Sequence, residues 1–358
     1  SGLGGYVSRW NAATHQVTDV SPWPVSSYGA DPRTVKYRYT WLSPIAFGGG
    51  KAHPVYFGAQ VLFRSADDGA TWDVASPDLS GANPDAKNCA SAQNSLAAAK
   101  ACGFGVIFTI APSSRDPRTI WVGTDDGEVQ LTTDGGGHWE NVTPPAMPLW
   151  GKVNDIALSP FDADTVYVAV DTHRLGEHRP VIFRTTDAGA HWRTIVAGLP
   201  PDEFVQTVVA DPERRGLLFA GTDRSVYVSF ADGDGWQPLS LNLPTTSIRS
   251  LTIHGDDLVA ATMGRGFWSL DDIEPLREGT AIIAAAPAHL FAPAPAIRLR
   301  ASENRDTPPP PSEPLAKNPP NGAIIDYWLK DAANGPVTLT IRDASGKVVR
   351  EFSSAAKP

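Results

Sequence analysis

The chain has 358 residues, a net charge of −9, 32 glycines and 32 prolines, and only 19% charged residues. That profile excludes a helical bundle and a disordered chain, and suits many short strands joined by tight turns. The acidic balance, with no Lys/Arg run, excludes a phosphate-backbone partner such as nucleic acid. No run of 18 apolar residues is present to form a membrane-spanning helix.

In chain order, residues 5–20 read as two strands around a turn at NAATH. They are the outer strands of a blade, able to complete the unit at 250–270. The segment 43–72, SPIAFGGGKAHPVYFGAQVLFRSADDGATW, then opens a repeat. Units starting near 107, 155, 207 and 250 repeat its plan of apolar strand, Gly/Pro/Asp turn, apolar strand, loop and alternating strand. Three units end in SADDGATW (65–72), TTDGGGHW (132–139) and TTDAGAHW (185–192), and a fourth in the altered SFADGDGW (229–236). A four-stranded unit recurring at a period in the forties, lengthened by inserts, is the signature of a propeller blade. The expected fold is therefore all-β: a β-propeller of five to six visible blades, complete or part of a seven-bladed ring, over residues 1–274.

The repeated (Ser/Thr)-x-Asp-x-Gly-x-x-Trp pattern has a structural rationale. Asp67, Asp134 and Asp187 can accept hydrogen bonds from the turn that follows them. Gly69, Gly136, Gly189 and Gly233 supply its positive φ. Trp72, Trp139, Trp192 and Trp236 wedge between blades. The fourth copy has Ala231 where the Asp should stand, which suits a folding device better than a catalytic group.

The pattern resembles the Asp-box, or BNR repeat, of sialidases, two-propeller xyloglucan hydrolases and sortilin/Vps10 ectodomains. With DPRTVKYRYTWLSPIAF and MGRGFWSLDDI, the chain looks most like bacterial secreted proteins with sortilin-like BNR propellers. The resemblance implies peripheral Asp-boxes, a ligand face elsewhere, an extracellular or periplasmic location, and a missing N-terminal propeller or partner chain. Cys89 and Cys102, confined to one polar insertion, suggest either a disulfide closing a loop or two buried thiols.

After residue 274 the pattern changes. Residues 275–320 form a Pro/Ala-rich linker, and 321–358 read as a short Ig/FlgD-like β meander of three strands, IIDYWL, VTLTI and KVVREF.

Function is expected where loops converge on the propeller face. The loops after second strands offer Asp125, Asp126, Asp171, His173, Arg174, Asp223, Arg224 and Arg265. The links between blades offer Lys36, Tyr37, Arg38, Trp41, Trp150 and Lys152. These types suit a peptide or carbohydrate ligand. Glycoside hydrolysis would need two carboxyl groups at a set separation, with Asp125 or Asp126 and Asp171 or Asp223 as candidates. The arginine triad of a sialidase and the double-Asp motifs of the xyloglucan hydrolases are absent. His173 and His178 share a loop with Glu177, better read as a solvated insertion than as a metal site. No metal or cofactor is expected. The leading expectation is a secreted propeller binding a peptide or glycan, the alternative a glycoside hydrolase, and the third a docking scaffold.

Overall fold

The computed structural model describes residues 3–25, 30–50, 53–81, 95–279, 286–296, 312 and 322–355. They divide into two compact units, one drawn mainly from residues 1–269 and the other from residue 270 onward.

The first unit is a succession of antiparallel propeller blades. Blade I comprises Ile45–Phe47, Val55–Gly58, Leu62–Ser65 and Asp73–Val74. Blade II comprises Ile107–Pro112, Ile120–Thr124, Val129–Thr132 and Glu140–Asn141. Blade III comprises Lys152–Leu158, Val166–Asp171, Ile182–Thr185 and Arg193–Thr194. Blade IV comprises Val205–Ala210, Leu218–Thr222, Val226–Ser229 and Gln237–Pro238. Blade V has three strands, Ile248–His254, Asp257–Thr262 and Phe267–Leu270. Within each, strands pair in chain order.

Second strands such as IWVGT and VYVAVD are buried on both sides because each sits between two neighbouring sheets. The core is correspondingly divided into clusters at the junctions. Trp121, Val129 and Leu131 of blade II meet Val153, Val166, Val168 and Val170 of blade III. Tyr167, Ala169 and Ile182 of blade III meet Val208, Leu218 and Ala220 of blade IV. Small residues late in second strands let the next blade approach. A Cβ added to Gly123 would lie 2.2 Å from Val153 Cγ1, and one on Gly221 would lie 2.6 Å from Ile248 Cγ2.

The Asp–Gly–Trp corners have one geometry in blades I to III. Asp67, Asp134 and Asp187 accept from the backbone N–H of Thr71, His138 and His191 at 2.8–2.9 Å. The Ser65, Thr132 and Thr185 hydroxyls accept from Gly69, Gly136 and Gly189 N–H, and those glycines have φ of 87°, 101° and 90°. Each indole N–H then donates to the carbonyl just past the outer strand of the preceding blade: Trp139 to Ala75, Trp192 to Val142 and Trp236 to Ile195, at 2.8–3.0 Å. In the fourth corner Ala231 leaves the turn without its carboxylate. The next residue, Asp232, instead accepts from the Tyr167 hydroxyl and the Arg184 guanidinium of blade III.

The N-terminal hairpin pairs Ser8–Trp10 with Val17–Asp19. It was expected to complete the 250–270 blade, but it forms a sheet of its own. The third place in that blade is already filled by Phe267–Leu270. The hairpin serves blade I instead: Trp72 donates to Val20 O at 2.7 Å, as the later tryptophans do to their preceding blades.

In the second unit the expected single meander is divided. Tyr327–Leu329 pairs with Ala288–Leu290, which lies in the segment read as linker, and Thr338–Arg342 pairs with Val348–Ser353. Most side chains of these short sheets are exposed, because two-stranded ribbons have little apolar surface to bury against each other.

Candidate functional site

The pairings Ile107↔Thr124, Lys152↔Asp171 and Val205↔Thr222 place the start of each first strand beside the end of its second strand. The links between blades and the loops after second strands therefore share one face. On that face, polar contacts run continuously across blades II, III and IV.

Asp125 Oδ1 accepts from Val106 N–H at 2.9 Å, and its Oδ2 lies 3.4 Å from Arg174 Nη1 of blade III. Burial raises the Asp125 pKa, against the pull of Arg174. Lys152 Nζ stands 4.4 Å over the Phe108 ring and 3.1 Å from Asp171 Oδ2, a charge contact off the hydrogen-bonding direction. Burial lowers the Lys152 pKa, with Asp171 opposing and Arg174 and Arg249 adding to the depression. Asp171 is fully buried, and burial alone would raise its pKa. Lys152 and His173 overcome that and hold it below the usual carboxylate value. Its Oδ1 is bound by His173 through both backbone N–H and ring Nδ1. The His173 ring in turn stacks on Phe204 of the link into blade IV, at 5.0 Å and 27°.

A second cluster belongs to blade IV. Arg224 donates to Asp202 at 2.9 Å and lies 3.8 Å from Asp223. Glu203 Oε2 accepts from Thr222 Oγ1 at 2.7 Å and from the Tyr227 hydroxyl at 3.1 Å. Burial, then Glu203, pushes the Tyr227 pKa to about 12, and burial raises Asp223. Asp126 takes no part in the hydrogen bonds of either cluster but feels the charge of its neighbour Asp125. Burial first, then Asp125 and Glu128, pushes its pKa to about 7, and its Oδ1 has no hydrogen-bond partner. Its Oδ2 is packed so closely on Gly105 that a Cβ there would come within 2.3 Å.

The remaining predicted residues are dispersed. Arg38 is buried between blades I and II, donating to Gly105 O and Asp78. Tyr37 is a core residue packed on Phe63, and Lys36 lies 5.0 Å over the Trp23 ring. Trp150, with φ 64°, packs on the cluster of Cys102, Phe104 and Val106. Trp41 is exposed before blade I, and Arg265 is exposed on the last turn of blade V. His178 tilts against Phe204 at 5.9 Å. Cys102 is fully buried and disulfide-bonded, and the other cysteine, Cys89, lies outside the described residues. Among the described residues no group of His, Cys, Asp or Glu is arranged to hold a metal ion.

Four residues that the sequence did not single out complete the face. First strands of blades II to V each carry a bulge at one position, and its extra residue is Phe108, Asn154, Gln206 or Arg249. These link consecutive blades: Lys152 over Phe108, Asn154 donating to Gln206 O, and Arg249 donating to Gln206 Oε1 at 2.7 Å. The available signal was a break in strand alternation at the same place in VIFTI, KVNDI, FVQTV and SIRSL.

No protein-family model matches the chain, and no curated protein matches it. Among solved structures, it is similar to an ancestral GH74 enzyme at 14% identity and a TM-score of 0.48, covering 89% of this chain and 39% of that one. It is also similar to the GH74 xyloglucanase from Xanthomonas campestris, at 17% identity and a TM-score of 0.42, covering 77% and 50% of the two chains. YCF48 from Cyanidioschyzon merolae is 22% identical with a TM-score of 0.36, covering 47% and 53%. The chain thus spans well under half the length of the ancestral GH74 enzyme.

Proposed function

We propose that this chain is a secreted Asp-box propeller that binds a peptide or glycan on the face built from Asp125, Lys152, Asp171, His173, Arg174 and Phe204. The observation that carries this reading is the way the carboxylates are used. Asp125 and Asp171 are buried and already engaged by Val106, Arg174, Lys152 and His173. Groups so engaged hold cations and an imidazole in place, and are poorly suited to pass protons to a substrate. The ligand would meet the ordered positive groups, the His173–Phe204 stack and the bulge residues. A disulfide at Cys102 supports an oxidising compartment.

A hydrolytic reading keeps one observation in its favour. Asp126, with its pKa pushed up to about 7, keeps a substantial protonated fraction at neutral pH, as a general acid needs. One experiment separates the two. The purified chain is applied to peptide and glycan arrays, and bound glycans are then assayed for cleavage. Binding lost in Arg174→Ala and His173→Ala, without turnover, supports the receptor reading. Turnover abolished by Asp126→Asn would replace it with the hydrolase. No binding and no turnover would refute both.

A further inference from the structure

On the face opposite the mouth formed by Asp125, Lys152 and Arg174, between blades III and IV, lies a cavity of about 410 Å³. It is bounded by the turn 159–165 of blade III and the turn 211–217 of blade IV. Its volume is that of a small-ligand site. Its walls are preformed: Ser159 Oγ and Asp211 Oδ1 each accept two backbone N–H groups of their own turn, which fixes both loops before any ligand arrives. Asp232 also lines it, its carboxylate held by the Tyr167 hydroxyl and by Arg184.

The charged groups on the walls narrow the chemistry. Asp162 is paired with Arg215, whose guanidinium lies 5.1 Å over the Phe161 ring. Arg214 lies 5.1 Å over the Phe230 ring, and Asp164 lines the same space. Asp162 is compensated by Arg215, Asp232 by Arg184 and Asp211 by Arg214, so the lining carries little net charge with which to select an ion of either sign. What remains is a neutral molecule with many hydroxyls, to which carboxylates offer acceptors and the aromatic-backed guanidinium groups offer donors. We propose that this cavity is a binding site for a neutral sugar of one or two rings, separate from the mouth face and held between the Asp162–Arg215 pair and Asp232.

The test is saturation-transfer NMR on the full chain with glucose, galactose, xylose, cellobiose and maltose, and with glucose 6-sulfate as an anionic control. At least one neutral sugar should bind, and Arg214→Ala and Asp164→Ala should each weaken it about tenfold or more. The cavity variants are made both on the unaltered chain and on an Arg174→Ala background, which removes sugar bound at the mouth, so that binding there is not counted as binding in the cavity. Circular dichroism establishes that each cavity variant is folded, and Asp164→Asn, which keeps the side-chain shape, serves if Asp164→Ala is not. Absence of binding by all five sugars overturns the proposal. So does preference for the sulfate, or binding that cavity variants leave intact.

Discussion

Asp232 accepts a hydrogen bond from the Tyr167 hydroxyl of the neighbouring blade, and it stands directly after the alanine that interrupts the fourth corner. The corner has lost its internal carboxylate, and the adjacent one has become a tie between blades. Arg184, nearly buried, is the second donor and also lies 3.3 Å from Asp234. Tyr167→Phe should cost about 1 kcal/mol of unfolding free energy. Asp232→Ala should cost more, about 2 kcal/mol, because it leaves a buried guanidinium with the carbonyl of residue 232 and the more distant Asp234 but without its nearest carboxylate. Urea denaturation of both variants checks the order, and equal costs would contradict it.

The close approach at Gly123 makes a second expectation. Alanine there must displace Val153 and should destabilise the protein by about 1–3 kcal/mol through overpacking. Blade III already holds Ala169 at the corresponding register, opposite Asp155 as Gly123 is opposite Thr109. Ala169→Gly should therefore cost only about 1 kcal/mol, mainly through backbone entropy. Thermal unfolding of the two variants gives the comparison.

The Lys152–Asp171 pair is buried on both sides. Lys152→Met leaves Asp171 with His173 alone and should cost about 3 kcal/mol, as should Asp171→Leu. The double variant should cost clearly less than the sum. A double-mutant cycle measures the coupling, and additive costs would show that the two charges do not depend on each other.

Two groups of aspartates should give opposite pH slopes. Asp126 has its pKa raised to about 7 by burial, so its neutral form favours the fold. Its contribution is full below the unfolded-state value near 4 and is lost as pH rises through about 7. Asp67 and Asp187 are lowered to about 2, chiefly by hydrogen bonds from Thr71 and His191 respectively. Their contribution is present above about 4 and is lost as pH falls toward 2. The midpoint temperature should thus be highest in mildly acidic buffer. Asp126→Asn should flatten the decline between about pH 4 and pH 7 and leave the acid limb unchanged.

The blade repeat was legible because each corner places its residues by local hydrogen bonds, at spacings the sequence preserves. Asp67, Gly69 and Trp72 act within eight residues of chain, so a pattern search meets them together. The hairpin's place was not legible, because the choice between blade I and blade V depends on which outer positions are already filled. Nor was the division of the C-terminal strands, since Ala288–Leu290 is too short for alternation to mark it as the partner of Tyr327–Leu329. On the mouth face, the sequence named Asp125, Lys152, Asp171, His173 and Arg174, whose charges attract notice. It passed over Phe204 and Gln206, whose parts there depend on a ring contact and a strand irregularity. Tyr37 and Arg38 were named for their type but are buried in packing, which a linear pattern does not separate from display.

The irregularity shared by four innermost strands has an evolutionary corollary. An inserted residue lies outside the strand pairing, so its identity is released from the demands that fix its neighbours. Phe108, Asn154, Gln206 and Arg249 supply an aromatic ring, two amides of different length and a guanidinium while the sheets around them keep one plan. Such a lineage can change the chemistry displayed at that end of the blades one blade at a time, without renegotiating how any blade folds.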